Sequence, residues 1–492
     1  MSNKPNIVIN ISSIFVGLWL SVSKLLSSEY NVVITTGTFD KKLIKNNFPN
    51  ISVSVENKDE LYKKIDQEEL SQVDLVLKAR EFEEKYNETL AMVMSYDRAL
   101  GKGYIFNVDR HPYQSKEYWC NEFKIREILK EFIYWEYIVE KYSPVLLLAP
   151  TPNKILSLIA KKKRLTFLWL GHMRFGDRWF WGENEYEQNS SYIKSVQKYA
   201  KSISNTNVTE TPIEYIQDDI SKYKNQVLYG HYHSLKELVS RFPGDLYRFL
   251  TGFYMKNQGY KFLGWYPVIL RRTYIYKYFK KYGKRPDEVR NCKLVFFAFN
   301  LEPEKSLLFR SPEQNNSMEI ISWISKSLPA DTILVVKEQP HAYGVRSQRY
   351  YDNFRKIGNV ILASPEIHSW EWIKQAKIIA TITGTVGIEA TYFGKPVLSF
   401  GKHQIINYLP SVRYVNTFES VKDAVKELLT LTPDDIIFKK SKAALYHAQK
   451  ENSFRMAGLE KLSKSKKLHM GLAEQVVASL KERYNIRDLE WL

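Results

Sequence analysis

Within residues 378–401, IIATITGTVGIEATYFGKPVLSFG, a short apolar run breaks into Thr383-Gly384-Thr385, two hydroxyl residues around a glycine. If residues 386–393 are helical, the amides of Thr385, Val386 and Gly387 point out of the helix start with the positive end of the peptide dipoles behind them. Small residues there let an anion come close, which is chemistry for seating a phosphate. Gly384 and Gly387 match neither a Walker A loop nor the GxGxxG fingerprint, so the same turn can also be plain strand-to-helix packing. Glu389, in the first helical turn, is placed either to accept from ribose hydroxyls or to complement the dipole.

Further polar clusters recur where strands should end. Lys337-Glu338-Gln339-Pro340-His341 closes one apolar run, with Gly344 and Arg346 shortly after, and Leu301-Glu302-Pro303-Glu304 closes another. In the first half, Asp97-Arg98 sets an acid beside a base ahead of Gly101 and Gly103, and Asp109-Arg110-His111-Pro112 follows. The run 165–170 delivers Gly171-His172-Met173-Arg174 and then Asp177-Arg178. Groups gathered past the carboxyl ends of strands are where open α/β sheets bind ligands. Each also has a structural reading: a surface salt bridge for Asp97, a satisfied histidine for His172, a buried ion pair for Glu338.

The elements that must hold these groups alternate between strand and helix. Strands are expected at 7–11, 31–35, 51–55, 145–149 and 165–170, with helices between and a charge-laced helical stretch over 59–94. A second series starts at 293–300 and continues through 332–337, 360–363, 378–382 and 397–400, the last two joined as a right-handed βαβ unit capped at Gly394. The fold class is therefore α/β with two Rossmann-like domains, 1–184 and 291–492, part of the C-terminal tail packing back on the first. Residues 185–290 differ in texture: from 246 to 286 there are ten Lys or Arg and no acid, interleaved with aromatics. That stretch reads as a solvated helical insertion or as a basic aromatic surface resting on anionic lipid.

Composition narrows the class. The 492 residues are 44% hydrophobic and 26% charged, a globular mixture, and the net charge of +18 calls for an anionic partner. No nucleic-acid module signature is visible, and 14% aromatic residues favour sugar or membrane-interface contacts. Two cysteines make no disulfide framework and fit a cytoplasmic setting, with peripheral contact to the inner face of a bacterial inner membrane as the lipid reading would have it. The apolar N-terminus is interrupted by Asn10, Ser12 and Ser13 and reads as a strand, a turn and a helix rather than a leader, and no later run has the length of a membrane span.

The order and spacing of Glu302-Pro303-Glu304, Lys337-Glu338-Gln339-Pro340 with Gly344 and Arg346, 381–390 and Gly394-Lys395-Pro396 resemble the capsule polysaccharide biosynthesis family. The likeness extends over about 290–402 and more thinly over 80–112, where Asp97-Arg98 is similar to the family's acid-and-arginine pair. One departure is visible: the family has His-Pro after Lys-Glu, whereas Gln339 precedes Pro340 here and His341 follows it. Either His341 takes over that contact or Gln339 donates a neutral hydrogen bond.

The resemblance implies a GT-B glycosyltransferase, two Rossmann-like domains facing a cleft, that moves Kdo or a related nonulosonic acid (pseudaminic or sialic type) from a CMP-activated donor to a glycan or lipid-linked glycan, with retention. It implies a donor side of Glu304, Lys337, Glu338, Gln339, His341, Arg346, Thr383, Gly384, Thr385, Gly387 and Glu389, with Lys337 and Arg346 on the phosphate. Arg98 or Arg174 would fork onto the sugar carboxylate, Asp97 would be the nucleophile, and Asp97 or His172 the base if the reaction inverts. No metal or cofactor beyond the CMP-sugar co-substrate is expected. The competing expectations are a transferase or epimerase using a UDP- or GDP-sugar, and a noncatalytic membrane-surface scaffold for export.

Overall fold

The computed structural model describes residues 4–11, 14–37, 44, 53–66, 71–98, 100–101, 120–202, 234–252, 262–264, 266–289, 291–302, 304–432, 435–462 and 465–484. Asp109 to Pro112, Pro303 and Trp265 lie outside them. Two compact units emerge, one of Met1–Val93, Asn121–Tyr192 and Gln449–Leu492, the other of Met94–Cys120 and Ile193–Ala448.

The first unit is built on seven strands: β1 (Asn6–Asn10), β2 (Asn31–Thr36), β3 (Ser54–Asn57), β4 (Leu146–Ala149), β5 (Thr166–His172), β6 (Arg178–Gly182) and β13 (Phe454–Arg455). Their order is β3-β2-β1-β4-β5-β6-β13, parallel through β5 and antiparallel at the last two. Apolar runs such as Leu146–Ala149 are buried along their whole length, the pattern of a parallel sheet covered on both faces. The helix Val16–Leu26 buries Trp19 and Leu20 in a core it shares with Val476 and Leu480 of the helix Met470–Arg483. His469 fixes that join by donating its amide to Ser21 Oγ at 2.8 Å.

The second unit carries β7 (Lys293–Ala298), β8 (Thr332–Lys337), β9 (Val360–Leu362), β10 (Ile378–Thr381), β11 (Val397–Ser399) and β12 (Val412–Tyr414). All pairings are parallel and the order is β12-β11-β10-β7-β8-β9. Read in chain order, this is the 3-2-1-4-5-6 arrangement of a dinucleotide-binding sheet, which reverses direction between β7 and β10. The expected βαβ unit is present: Val386–Tyr392 is helical and Gly394 follows in left-handed backbone (φ 66°).

The C-terminal tail was expected to pack in part on the first domain, and residues 449–484 do so, with Met456, Ala473, Val476 and Leu480 buried in that unit's core. The observed boundaries move two other expectations. The Asp97 turn groups with the second unit instead of the first, and Tyr96 packs edge-on against Phe309 at 4.9 Å. Helix Tyr266–Tyr282 is no free-standing insertion, since Ile275, Tyr278 and Phe279 are buried in the core of the parallel six-stranded sheet. The helix spacing of those three side chains was hidden in the sequence by the lysines and arginines on the opposite side.

Candidate functional site

The ends of β7, β8 and β10 converge in the second unit. Asn300, just past β7, is buried and donates from Nδ2 to Thr383 Oγ1 at 2.9 Å, just past β10. Its Oδ1 is also buried and has no hydrogen-bond partner among the described residues. A buried acceptor left open costs about 1–3 kcal/mol unless something supplies a donor, and this one lies where the strand order reverses.

Below that point sits a buried ion network, in which Arg346 Nε and Glu302 Oε2 have no hydrogen-bond partner among the described residues. Arg346 is 0% exposed, with Nη2 at 3.1 Å from Glu302 Oε2 and Nη1 on Glu338 Oε2. Nη2 also donates to the Asn300 carbonyl at 2.8 Å. Ser317 and Tyr351 donate their hydroxyls to Glu302 and Glu338 at 2.7 Å each, and the guanidinium lies over the Phe299 ring at 5.1 Å. Burial alone would lower the arginine's pKa, but Glu302 and Glu338 hold it well above its ordinary value, while burial pushes the Glu302 carboxyl up. The charge of Arg346 is therefore spent inside the fold, positioning the ends of β7 and β8, and the guanidinium has no exposed surface for the phosphate contact that the resemblance implied.

Lys337, the last residue of β8, is buried too, with Nζ 3.5 Å from the Ser364 carbonyl. Burial brings its ammonium down to about 7, against the pull of Glu338. Gln339 donates its amide to Glu338 Oε1 at 2.8 Å and is half-buried. His341, in the short turn Pro340–Ala342, reaches the surface, and desolvation followed by the charge of Arg272 holds its imidazole below the usual value. Glu304 precedes the helix Lys305–Arg310, its carbonyl accepting from the Leu307 and Leu308 amides at 3.1 Å.

The turn after β10 divides between packing and access. Gly384 donates its amide to Thr381 Oγ1 at 2.9 Å and Gly387 donates to the Gly384 carbonyl at 3.3 Å. A Cβ on Gly387 would lie 2.6 Å from Ile406 Cδ1 and 2.9 Å from Thr381 Cγ2, so that glycine is demanded by packing. Thr385 is exposed at the helix start. Glu389 is half-buried and accepts from the Trp370 indole at 3.0 Å.

Asp97 and Arg98 are exposed, and Asp97 Oδ1 accepts from the Leu100 amide at 2.7 Å. His172 belongs to the first unit, at the end of β5. Its Nδ1 accepts from the Arg174 amide at 3.2 Å, which leaves Nε2 to donate to the Gly176 carbonyl at 3.0 Å. Both ring nitrogens lie within hydrogen-bond distance of the β5–β6 turn, and a ring with its hydrogen on Nε2 fits both contacts.

The first unit adds a group that sequence reasoning missed. Lys154, 4% exposed, bridges Glu88 at 2.8 Å and Glu185 at 2.9 Å beside a cavity of about 680 Å³, and Ser157 donates to Glu185. Burial works against the ammonium, but the two glutamates keep its pKa raised; Lys154 and Ser157 outweigh burial at Glu185 and lower its pKa. Nothing in the spacing of 88, 154 and 185 signals this meeting. Asn300 was legible only as the last residue of a strand.

Comparison with known proteins adds the following. Residues 216–405 match the family described as capsule polysaccharide biosynthesis protein. No curated protein sequence matches the chain. Among solved structures, it is similar to the beta Kdo 2,7 transferase KpsC of Thermosulfurimonas dismutans (10% identity, 92% of this chain and 99% of that one, TM-score 0.33). It is also similar to the beta Kdo 2,4 transferase KpsC of the same organism (13% identity, 65% and 88% covered, TM-score 0.31). A third likeness is to the UDP-GlcNAc 2-epimerase of Methanocaldococcus jannaschii (10% identity, 91% and 98% covered, TM-score 0.26). The matched family segment contains Asn300, the Glu302–Arg346–Glu338 network and the turn after β10. Over residues 216–405, then, the chain is similar to the capsule polysaccharide biosynthesis family.

Proposed function

We propose that the protein is a glycosyltransferase that moves a Kdo-like or other nonulosonic acid from a CMP-activated donor to a surface polysaccharide or glycolipid acceptor, with retention of configuration. The observation that carries this reading is the open, buried acceptor of Asn300 at the reversal point between β7 and β10, inside the segment matched by the capsule family. A nucleotide-sugar offers hydroxyl and amine donors at such a point, and its phosphate suits the start of the helix that follows β10.

With the Gly384 and Gly387 amides already used, the anion seat narrows to the amides of Thr385 and Val386. Lys337, protonated on ligand entry, and His341 or Gln339 complete it, while Glu389 and Glu304 are left for hydroxyls. Arg98 pairs with the sugar carboxylate and Asp97, its neighbour, attacks the anomeric carbon as the CMP phosphate departs. The acceptor hydroxyl then displaces Asp97, restoring the donor configuration. A departing phosphate held by fixed donors lowers the barrier because the charge develops where the donors already point.

The test is a thermal-shift panel of CMP, UDP and GDP followed by a mass-spectrometric transfer assay with a CMP-ulosonate. A ligand at about a hundred times its dissociation constant stabilises by about 2.7 kcal/mol. CMP should give that shift and the CMP-ulosonate should be consumed. A stronger response to UDP or GDP would reassign the donor, and no response to any nucleotide would end the transferase reading.

A further inference from the structure

We infer that the helix Ser234–Leu250 and its neighbour Tyr266–Tyr282 form a docking surface for a bilayer with anionic headgroups. This rests on their exposed faces and charge and is independent of the donor assignment.

The first helix points its apolar residues outward. Val239 is 74% exposed, Phe242 45%, Tyr247 69% and Leu250 74%, and Leu246 and Phe249 are exposed as well. At 100° per residue, positions 239, 242, 246, 249 and 250 fall within an arc of roughly 100°. A globular surface rarely shows a contiguous apolar face of this kind unless something covers it. The helix is held from another side, where Tyr266 donates its hydroxyl to the Leu238 carbonyl at 3.3 Å.

The second helix shows the complementary half. It buries Ile275 and Phe279 and exposes Leu270, Tyr274, Lys277 and Lys281, four residues that share one stripe at helical spacing. Two apolar side chains followed by two ammonium groups match the boundary between acyl chains and headgroups. Across residues 234–286 there are twelve Lys or Arg against two acids. That balance selects an anionic lipid surface over a neutral one and over a second copy of this basic chain. Among the described residues no helix is long and apolar enough to cross a membrane, so the contact is interfacial. The charge of residues 246–286 alone would centre the contact too far downstream, because one side of helix Tyr266–Tyr282 is core.

The experiment uses the full chain in a flotation assay with vesicles of 30% phosphatidylglycerol in phosphatidylcholine and with pure phosphatidylcholine. Partitioning onto the anionic vesicles should exceed that onto neutral ones by about tenfold and fall steeply in high salt. The triple variant Val239→Ser, Phe242→Ser, Leu250→Ser should lose about tenfold or more. Hydrogen exchange on the unaltered protein should show vesicle-induced protection in 234–250, a readout that does not depend on the variant folding. Equal binding to neutral vesicles, unchanged binding by the triple variant, or protection confined to other segments would overturn the proposal. So would a dimer in light scattering that the triple variant dissolves while anionic vesicles recruit neither form.

Discussion

Asn300 Nδ2 lies 2.9 Å from Thr383 Oγ1, and this single bond joins the ends of β7 and β10 where the sheet changes direction. Thr383→Val keeps the shape and removes the acceptor, leaving a buried amide unpaired at a cost of about 1–3 kcal/mol. Urea denaturation should show that loss, and calorimetry should show CMP binding weakened by about tenfold, or about 1.4 kcal/mol. Unchanged affinity would place the nucleotide away from this point.

Arg346 balances two buried carboxylates, so Arg346→Met strands both. The expected loss is about 3–5 kcal/mol of folding stability. Adding Glu302→Gln and Glu338→Gln should restore most of it, because the uncompensated charge is then gone. A single Arg346→Met protein that melts like the parent would show that the network carries no such strain.

Lys337 gives a pH signature. Its pKa near 7 in the fold lies below the ordinary lysine value, so above pH 7 the unfolded chain holds a proton that the folded one lacks. Stability from this group therefore rises with pH between about 7 and 10.4 and is at its lowest below 7. Lys337→Met should flatten that slope and stabilise the protein at pH 6 by on the order of 5 kcal/mol, and by less at pH 9. Melting curves at pH 6 and pH 9 measure both effects, and an unchanged slope would assign the proton elsewhere.

Asp97→Asn retains an oxygen to accept from the Leu100 amide but cannot act as a nucleophile. Transfer from a CMP-ulosonate should fall by about 10³-fold or more with CMP affinity nearly intact. Full turnover would remove Asp97 from the chemistry. His172→Ala should instead lower the melting temperature through the β5–β6 turn while kcat stays at the parent value; a collapse of kcat at unchanged stability would restore a chemical role to this residue.

Most strands of both sheets were legible because their apolar runs are continuous and end in Gly, Pro or polar clusters, as at Val397–Ser399 and Leu146–Ala149. β6 was not, since Arg178–Gly182 mixes two tryptophans with charged neighbours and is defined by pairing with β5. The cluster at the ends of β7, β8 and β10 could be listed from sequence, but not which members face inward. Spacing gives Lys337, Glu338 and Arg346 the same rank, and only the fold shows that Arg346 is enclosed by Glu302 and Glu338. The Lys154 cluster was invisible for the same reason: Glu88, Lys154 and Glu185 come from three distant segments.

The helix Met470–Arg483 supplies Val476 and Leu480 to the core around Trp19. On the ribosome, residues 16–26 must therefore wait for residues 470–483 before their interior is dry. Nascent Val16–Leu26 stays exposed over that interval, a window in which chaperones can hold it. A stop codon ahead of Met456 would spoil the core around Trp19 more than the one around Phe297.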